Sequence, residues 1–184
     1  LAFGTSGSGP GEFDAPGGVA VDRQGSIYVA DFYNHRIQRF RPDGSFERVI
    51  GSRGRIGPGG LHYPTGVSVA ADHRVLVADA YNYQLQWFDR TGQPVARLGY
   101  HLFWLWPRPA SSTAGFNAPT GSAIGPTGVV HVVDSGNHRI VMLSPSGEYL
   151  GDWTIPELDQ EIYSPEQAAL SPDGKTLYAT DLAS

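Results

Sequence analysis

A short motif occurs four times in this chain, and the regular spacing of its copies limits the possible folds more than any other feature. Each copy opens with a proline and closes with an aspartate after an apolar run. The prolines are 48, 55 and 46 residues apart, and the aspartate follows each proline after 15 or 16 residues. The pairs are Pro16 and Asp31, Pro64 and Asp79, Pro119 and Asp134, and Pro165 and Asp181. A period of this length, built from short strands, is typical of β-propellers.

Each unit has the pattern of a meander of short strands. In the first unit, segments 18–22, 26–31, 36–40 and 45–50 are separated by turns rich in glycine, asparagine and aspartate. Segment 27–30 is apolar at every position, whereas a half-exposed strand would alternate. Both faces of each sheet must therefore be covered, as happens when blades pack side by side in a ring. The sequence predicts an all-β fold, a β-propeller of four-stranded antiparallel blades.

The repeat boundaries divide the chain into blades. We expect a single propeller domain over residues 1–184, with blades at about 12–51, 60–99 and 115–153 and half a blade at 161–184. Residues 1–4 are interpreted as the outer strand of a preceding blade. About three and three-quarter blades are then present. We therefore expect the chain to be part of a longer protein.

Composition excludes some classes of function. Cysteine is absent, which excludes a disulfide framework and a cysteine metal site. The net charge is −5, and this acidic balance disfavours nucleic acid as a partner. The longest apolar run, 102–106, is far shorter than the roughly 18 residues that a membrane-spanning helix needs.

The loop that follows the aspartate has a recognisable sequence. Segments 31–40 (DFYNHRIQRF) and 134–140 (DSGNHRI), each preceded by a proline-glycine strand start, resemble the core of NHL repeats. The second copy, 79–85 (DAYNYQL), keeps aspartate and asparagine but replaces histidine and arginine. The resemblance implies a propeller that is six-bladed when complete and that acts through protein contacts. Export of many bacterial NHL proteins, with the excess of arginine over lysine, favours an extracytoplasmic protein of a GC-rich bacterium.

The repeated aspartate and asparagine are interpreted as structural turn residues. A catalytic carboxylate is needed once, whereas these recur in each blade, and both residue types hydrogen-bond to turn backbone. They are Asp31, Asn34, Asp79, Asn82, Asp134, Asn137 and Asp181. His35 and His138 occupy equivalent places on different blades, where they cannot converge on one zinc ion. We expect no metal and no cofactor.

An enzymatic alternative concerns the central channel. The position after each blade-opening proline, occupied here by Gly17, Thr65, Thr120 and Glu166, is expected to line that channel. In the peptidyl-amidoglycolate lyases, which share this propeller style, zinc-binding histidines follow the proline directly. None of the four residues is a histidine, which weakens the zinc-lyase interpretation. A propeller lyase or hydrolase with a metal-assisted channel site stays open as an alternative.

One segment departs from the repeat. The connection 99–109 lengthens one spacing to 55 residues and holds two of the four tryptophans. Aromatic and arginine side chains anchor protein interfaces, so Phe103, Trp104, Trp106 and Arg108 are predicted to bind a partner. A loop that buries its own aromatics against the rim is the alternative. Shallow membrane contact is disfavoured because the flanks carry few cations.

Three functions follow, in order of preference. The first is a non-enzymatic binding or scaffolding module for a protein partner, which could be a subunit of a larger assembly. The second is the channel enzyme. The third is an RNA-binding face formed by the arginines in or beside the loops, Arg36, Arg53, Arg55, Arg108 and Arg139.

Overall fold

The computed structural model describes residues 2–99, 102–103, 106–107, 115–154 and 164–182, and these residues form a nearly all-β fold. Two strand pairs flank the first unit of the repeat and a third pair follows the second unit. In chain order the strands outside the main sheets are β1 (Thr5–Ser6), β2 (Glu12–Phe13), β7 (Ser52–Arg53), β8 (Gly60–Leu61), β13 (Leu102–Phe103) and β14 (Trp106–Pro107). The pairs β1–β2 and β7–β8 are parallel, and β13–β14 is antiparallel.

Three four-stranded antiparallel sheets form the body of the molecule, each with its strands in sequence order. The first sheet contains β3 (Pro16–Val21), β4 (Ile27–Asp31), β5 (Arg36–Phe40) and β6 (Phe46–Ile50). The second contains β9 (Pro64–Val69), β10 (Val75–Asp79), β11 (Gln84–Phe88) and β12 (Pro94–Leu98). The third contains β15 (Pro119–Ile124), β16 (Val130–Asp134), β17 (Arg139–Leu143) and β18 (Tyr149–Thr154). A two-stranded sheet of β19 (Ser164–Leu170) and β20 (Leu177–Leu182) follows.

Strand β10 shows why its residues are apolar at consecutive positions. Val75 and Val77 pack into a core shared with the first sheet, with Tyr28 and Ile37. Leu76, between them in the chain, points the other way into a core shared with the third sheet. Successive side chains of a strand lie on opposite faces, so a sheet between two neighbours buries both sets. The propeller blade predicted from the sequence is confirmed in this arrangement.

The inner strands of neighbouring sheets, β3, β9, β15 and β19, pack backbone against backbone. A Cβ added at Gly66 would lie 2.6 Å from the carbonyl oxygen of Thr120, so glycine is required for the close approach. Hydroxyl groups join the same strands, because Thr65 Oγ1 donates to the carbonyl oxygen of Pro119 at 3.1 Å. The inner strands thus run side by side in the same direction, and all sheets have their equivalent ends on the same face.

We call the two ends of the sheets the loop face and the turn face. The loop face carries the β4–β5, β10–β11 and β16–β17 loops at 32–35, 80–83 and 135–138, with the connections between sheets. The turn face carries the turns at 22–26, 70–74 and 125–129 and those at 41–45, 89–93 and 144–148.

The inner strand of the first sheet, β3, is uncovered on one side. Val19 and Val21 of β3 are 67% and 62% exposed, whereas Val67 of β9, equivalent to Val19, lies in the core. Residues 2–4 are not part of a strand, and Phe3 packs on Phe40 with ring centroids 4.8 Å apart. The preceding blade and the blade limits stay predictions.

Candidate functional site

A buried aspartate anchors the loop face in each of the three main sheets. In the first, Asp31 Oδ1 accepts hydrogen bonds from the backbone N–H of Asp14 at 2.8 Å and from Asn34 Nδ2 at 2.9 Å. Asp31 Oδ2 accepts from Arg36 Nε at 2.8 Å and from Gln38 Nε2 at 3.1 Å. One carboxylate therefore joins the β4–β5 loop to the connection that enters the sheet.

The second and third sheets repeat this arrangement with different donors. Asp79 accepts from the backbone N–H of His62 at 2.7 Å and from the amides of Asn82, Gln84 and Gln86 at 2.8–2.9 Å. Burial raises the pKa of Asp79 to about 6, opposed by these hydrogen bonds. In the third sheet, Asp134 accepts from the Asn117 backbone and from the side chains of Asn137 and Arg139. The side chain of Asp181 lies outside the described residues.

The loops held in this way bring aromatic rings of two sheets together. We call Phe32, Tyr33, Tyr63 and Tyr81 the aromatic patch. The centroid of Tyr63 lies 4.9 Å from those of Phe32 and Tyr81 and 5.9 Å from that of Tyr33. Tyr33 and Tyr81 are 54% and 48% exposed, while Phe32 and Tyr63 are half-buried beneath them. Tyrosine has few rotamers to lose, which makes it an economical contact residue.

Two stacked histidines support the aromatic patch from below. His35 and His62 have ring centroids 5.2 Å apart and an angle of 12° between their planes. His35 Nδ1 accepts a hydrogen bond from the backbone N–H of Tyr63 at 3.0 Å, which ties the two sheets together. Burial, with the charges of Arg55, His35 and Arg53, lowers the pKa of His62 to about 4. Burial likewise lowers the pKa of His35, so both rings are neutral at physiological pH.

The structure separates the five arginines of the RNA hypothesis. Arg36 forms an ion pair with Asp31 at 2.8 Å and donates to three backbone carbonyls, and Arg139 forms ion pairs with Asp134 and Asp152. These two guanidinium groups hold the loops in place. Arg53 is exposed beside the aromatic patch, and Arg55 Nη2 donates to the carbonyl oxygen of Tyr81 at 3.2 Å. Arg108 lies outside the described residues.

The predicted partner-binding segment is described only in part. Leu102 pairs with Pro107 and Phe103 with Trp106 in the β13–β14 hairpin, which lies in the connection between the second and third sheets. Trp104 and Arg108 lie outside the described residues, as do the side chains of Phe103 and Trp106.

Two of the four predicted channel residues, Thr65 and Thr120, donate hydrogen bonds to the next blade. Thr65 Oγ1 donates to the carbonyl oxygen of Pro119, and Thr120 Oγ1 donates to that of Pro165 at 3.2 Å. Gly17 is exposed at the start of β3, and Glu166 is half-buried in β19. Within the described ranges, no group of three or more His, Cys, Asp or Glu side chains is placed to hold a metal ion.

Sequence reasoning did not single out the aromatic patch, although the repeat contains a signal for it. The positions of Phe32 and Tyr63 are occupied by Ala80 and Ala118 in the next pair of sheets. Alanine at the equivalent positions shows that the blade does not need large rings there. Aromatic residues at such loop positions indicate binding.

The family model named NHL repeat matches residues 13–40 and 61–88, which contain the aspartate–asparagine loops of the first two sheets. The first two sheets therefore contain NHL repeats. Among curated relatives, E3 ubiquitin-protein ligase TRIM71 of Rattus norvegicus is 54% identical over 46 residues, 25% of this chain and 5% of the relative. Protein brain tumor of Drosophila melanogaster is 47% identical over 53 residues, 29% of this chain and 5% of the relative. The matches thus cover about one-twentieth of each relative.

Solved structures with the same fold have diverse activities. Hydrazine synthase of Kuenenia stuttgartiensis superposes with a TM-score of 0.67 at 17% identity, over 91% of this chain and 42% of that one. The nidogen/laminin complex gives 0.66 at 20% identity, over 92% and 56%. A catalytically inactive virginiamycin B lyase of Staphylococcus aureus, with quinupristin, gives 0.64 at 21% identity, over 91% and 49%. These likenesses show the β-propeller fold alone. In the described part of the chain, no helix is long and apolar enough to cross a membrane.

Proposed function

We propose that this chain is a non-enzymatic binding module that docks a protein partner on its loop face, with the aromatic patch at the centre of the contact. The observation that carries the proposal is the pairing of two half-exposed tyrosines, Tyr33 and Tyr81, with a layer of rings beneath them. Tyrosine and arginine are enriched among the residues that dominate binding energy at protein interfaces.

The surroundings of the aromatic patch suit a contact that excludes water. The histidines below it are neutral, because burial lowers both of their pKa values, so covering the patch does not bury an imidazolium charge. Arg53 lies exposed at the edge, where a charge steers association and can pair with a partner carboxylate. The centre is therefore aromatic and the rim is polar, the usual composition of an interface.

The loops that carry the rings are already ordered. Asp31 and Asp79 each accept side-chain or backbone hydrogen bonds from four residues. A partner that binds preformed loops does not have to offset the entropy of ordering them.

The hydroxyl groups expected at the channel are already hydrogen-bonded within the scaffold, which favours a protein partner over catalysis there. Thr65 and Thr120 donate to backbone carbonyls of the next sheet, so these hydroxyl groups act as ties between blades. The proposal does not depend on the tryptophan segment. Trp104→Ala with Trp106→Ala tests that segment separately as a second contact, and loss of partner recovery would extend the interface to it.

The proposal is tested with a double variant, Tyr33→Ser with Tyr81→Ser, and a matched control, Tyr178→Ser. Tyr178 is 62% exposed in β20, outside the aromatic patch. Proteins recovered on each immobilised variant are identified by mass spectrometry, and each candidate is purified and titrated by calorimetry. We expect the double variant to weaken binding at least about tenfold while the control binds as the wild type does, because interface tyrosines often contribute 2 kcal/mol or more.

Two outcomes would contradict the proposal. One is a partner that binds the double variant and the wild type equally. The other is single-stranded RNA binding that weakens steeply with salt and depends on Tyr33, Tyr81 and Arg53, since aromatic rings and cations also hold single strands.

A further inference from the structure

A cavity opens on the turn face, at the other end of the seam between the first and second sheets from the aromatic patch. It has a volume of about 390 Å³, and its lining includes Arg39, Arg48, His73, Arg90, Tyr28 and Asp22. The volume lies within the usual range for small-molecule sites. None of these residues belongs to the aromatic patch.

The cations of this cavity are partly paired. Glu47 forms ion pairs with Arg39 at 3.3 Å and with Arg48 at 3.0 Å, and Asp22 lies 3.9 Å from Arg39. These contacts fix the direction of the two guanidinium groups. Among the described residues, the side chains of Arg90 and His73 have no hydrogen-bond or ion-pair partner. The cavity is thus cationic on a chain of net charge −5.

The next seam shows that the propeller does not need these charges. In the first sheet, Tyr28 pairs with Arg39, which pairs with Arg48. In the second sheet the same register positions are apolar: Leu76, Trp87 and Ala96. The places of His73 and Arg90 are taken in the third sheet by Gly128 and Pro145. The charged set is therefore absent from the next described seam, although the fold is repeated.

His73 is held in a conformation that other blades reserve for glycine. Its φ is +69°, and the equivalent positions of the other sheets are Gly25 and Gly128, both with φ +83°, and Gly174 with φ +71°. A histidine in this region is strained, and strained residues concentrate at functional sites. This observation is independent of the charge of the cavity.

We propose that the turn-face cavity binds an oxyanion of the phosphate class, either as free phosphate or as a small phosphomonoester. Arg90 and His73 supply donors without another described partner, and Arg39 and Arg48 present guanidinium groups already oriented by Glu47. A guanidinium fork matches the oxygen spacing of a phosphate and gives short, charge-assisted hydrogen bonds. The remaining volume of the cavity has room for the organic part of a monoester.

The test is calorimetric titration of the full protein at low salt with two probes, inorganic phosphate and phosphoserine. We expect saturable binding of at least one probe to a single site. Tighter binding of phosphoserine identifies a monoester site, and equal or weaker binding identifies a site for the free anion. Arg90→Gln should weaken binding by about tenfold or more, the usual effect of losing a charged hydrogen bond.

Two further variants separate binding from folding. His73→Gly restores the residue that other blades use, so it should raise the melting temperature and still weaken phosphate binding. Arg41→Gln makes the same charge change in the β5–β6 turn, outside the cavity lining, and should leave binding unchanged. The proposal is overturned if neither probe gives saturable binding, if Arg41→Gln weakens binding as much as Arg90→Gln, or if His73→Gly binds phosphate as the wild type does.

Discussion

Replacing Gly66 by alanine tests how the inner strands of neighbouring sheets are packed. The new Cβ would lie 2.6 Å from the carbonyl oxygen of Thr120 and 2.9 Å from the Cα of Gly121. Both atoms belong to the backbone, and the first distance is 0.8 Å short of the 3.4 Å at which ordinary van der Waals contact begins. Strand β15 cannot retreat alone, because it is hydrogen-bonded into the third sheet.

The magnitude follows from what this displacement disturbs. Overpacking costs about 1–3 kcal/mol in free energy of unfolding. Retreat of β15 also stretches the hydrogen bonds from Thr65 Oγ1 to Pro119 and from Ser68 Oγ to Ser122, at 3.1 and 2.6 Å, each contributing about 1 kcal/mol. The stiffer unfolded chain offsets about 0.4–1 kcal/mol of the loss. We expect a net decrease of about 2–4 kcal/mol.

The measurement is urea denaturation followed by tryptophan fluorescence, with a thermal melt as a second probe. For a chain of this size, the expected loss lowers the melting temperature by at least about 4 °C. Gly125→Ala is the control, because the atoms nearest its added Cβ lie at 3.6 Å, an ordinary contact distance. If Gly66→Ala proved as stable as this control, the close packing of the inner strands would be refuted.

Three further predictions concern single side chains. Asp79→Asn should lower the free energy of unfolding by about 2–3 kcal/mol in urea titration, because the new amide NH₂ group would face N–H groups that now donate to the carboxylate. An unchanged urea midpoint would contradict this. Thr65→Val should lower the free energy of unfolding by about 1 kcal/mol, because the hydrogen bond to the carbonyl oxygen of Pro119 is lost. No loss of stability would show that this hydroxyl does not hold the two sheets together. His62 has a folded pKa of about 4, below its unfolded value of 6.5, so its stabilisation is complete above pH 6.5 and is lost as the pH falls towards 4. Between pH 6.5 and 4, the free energy of unfolding of the wild type should fall by about 1–2 kcal/mol more than that of His62→Gln, allowing for solvent screening. Parallel plots of unfolding free energy against pH for the two proteins would refute the pKa shift.

Local patterns in the sequence were sufficient to predict the strands and turns of each blade. Segment 27–30 is apolar at every position because β4 lies in a sheet between covered faces, and turn residues mark the ends of the strands. The hydrogen-bond donors to the aspartates were harder to predict from the sequence. The backbone N–H groups of Asp14, His62 and Asn117 donate from the connections between sheets, 17 residues earlier in the chain. Arg36 and Arg139 could not be assigned from charge alone, since these arginines, named as candidates for RNA binding, form ion pairs and hydrogen bonds within the fold.

The fourfold repeat by itself determined the propeller architecture and the resemblance to NHL repeats, because strand length, turn chemistry and spacing are properties of the local chain. Only the tertiary structure decided which departures from the repeat meet in space. Phe32 and Tyr63 meet on the loop face, and Arg39 and Arg90 line one cavity on the turn face, although 31 residues of sequence separate the first pair and 51 the second. The physical reason is the close contact of inner strands at Gly66 and its equivalents, which sets neighbouring sheets in register and so brings equivalent ends together at each seam.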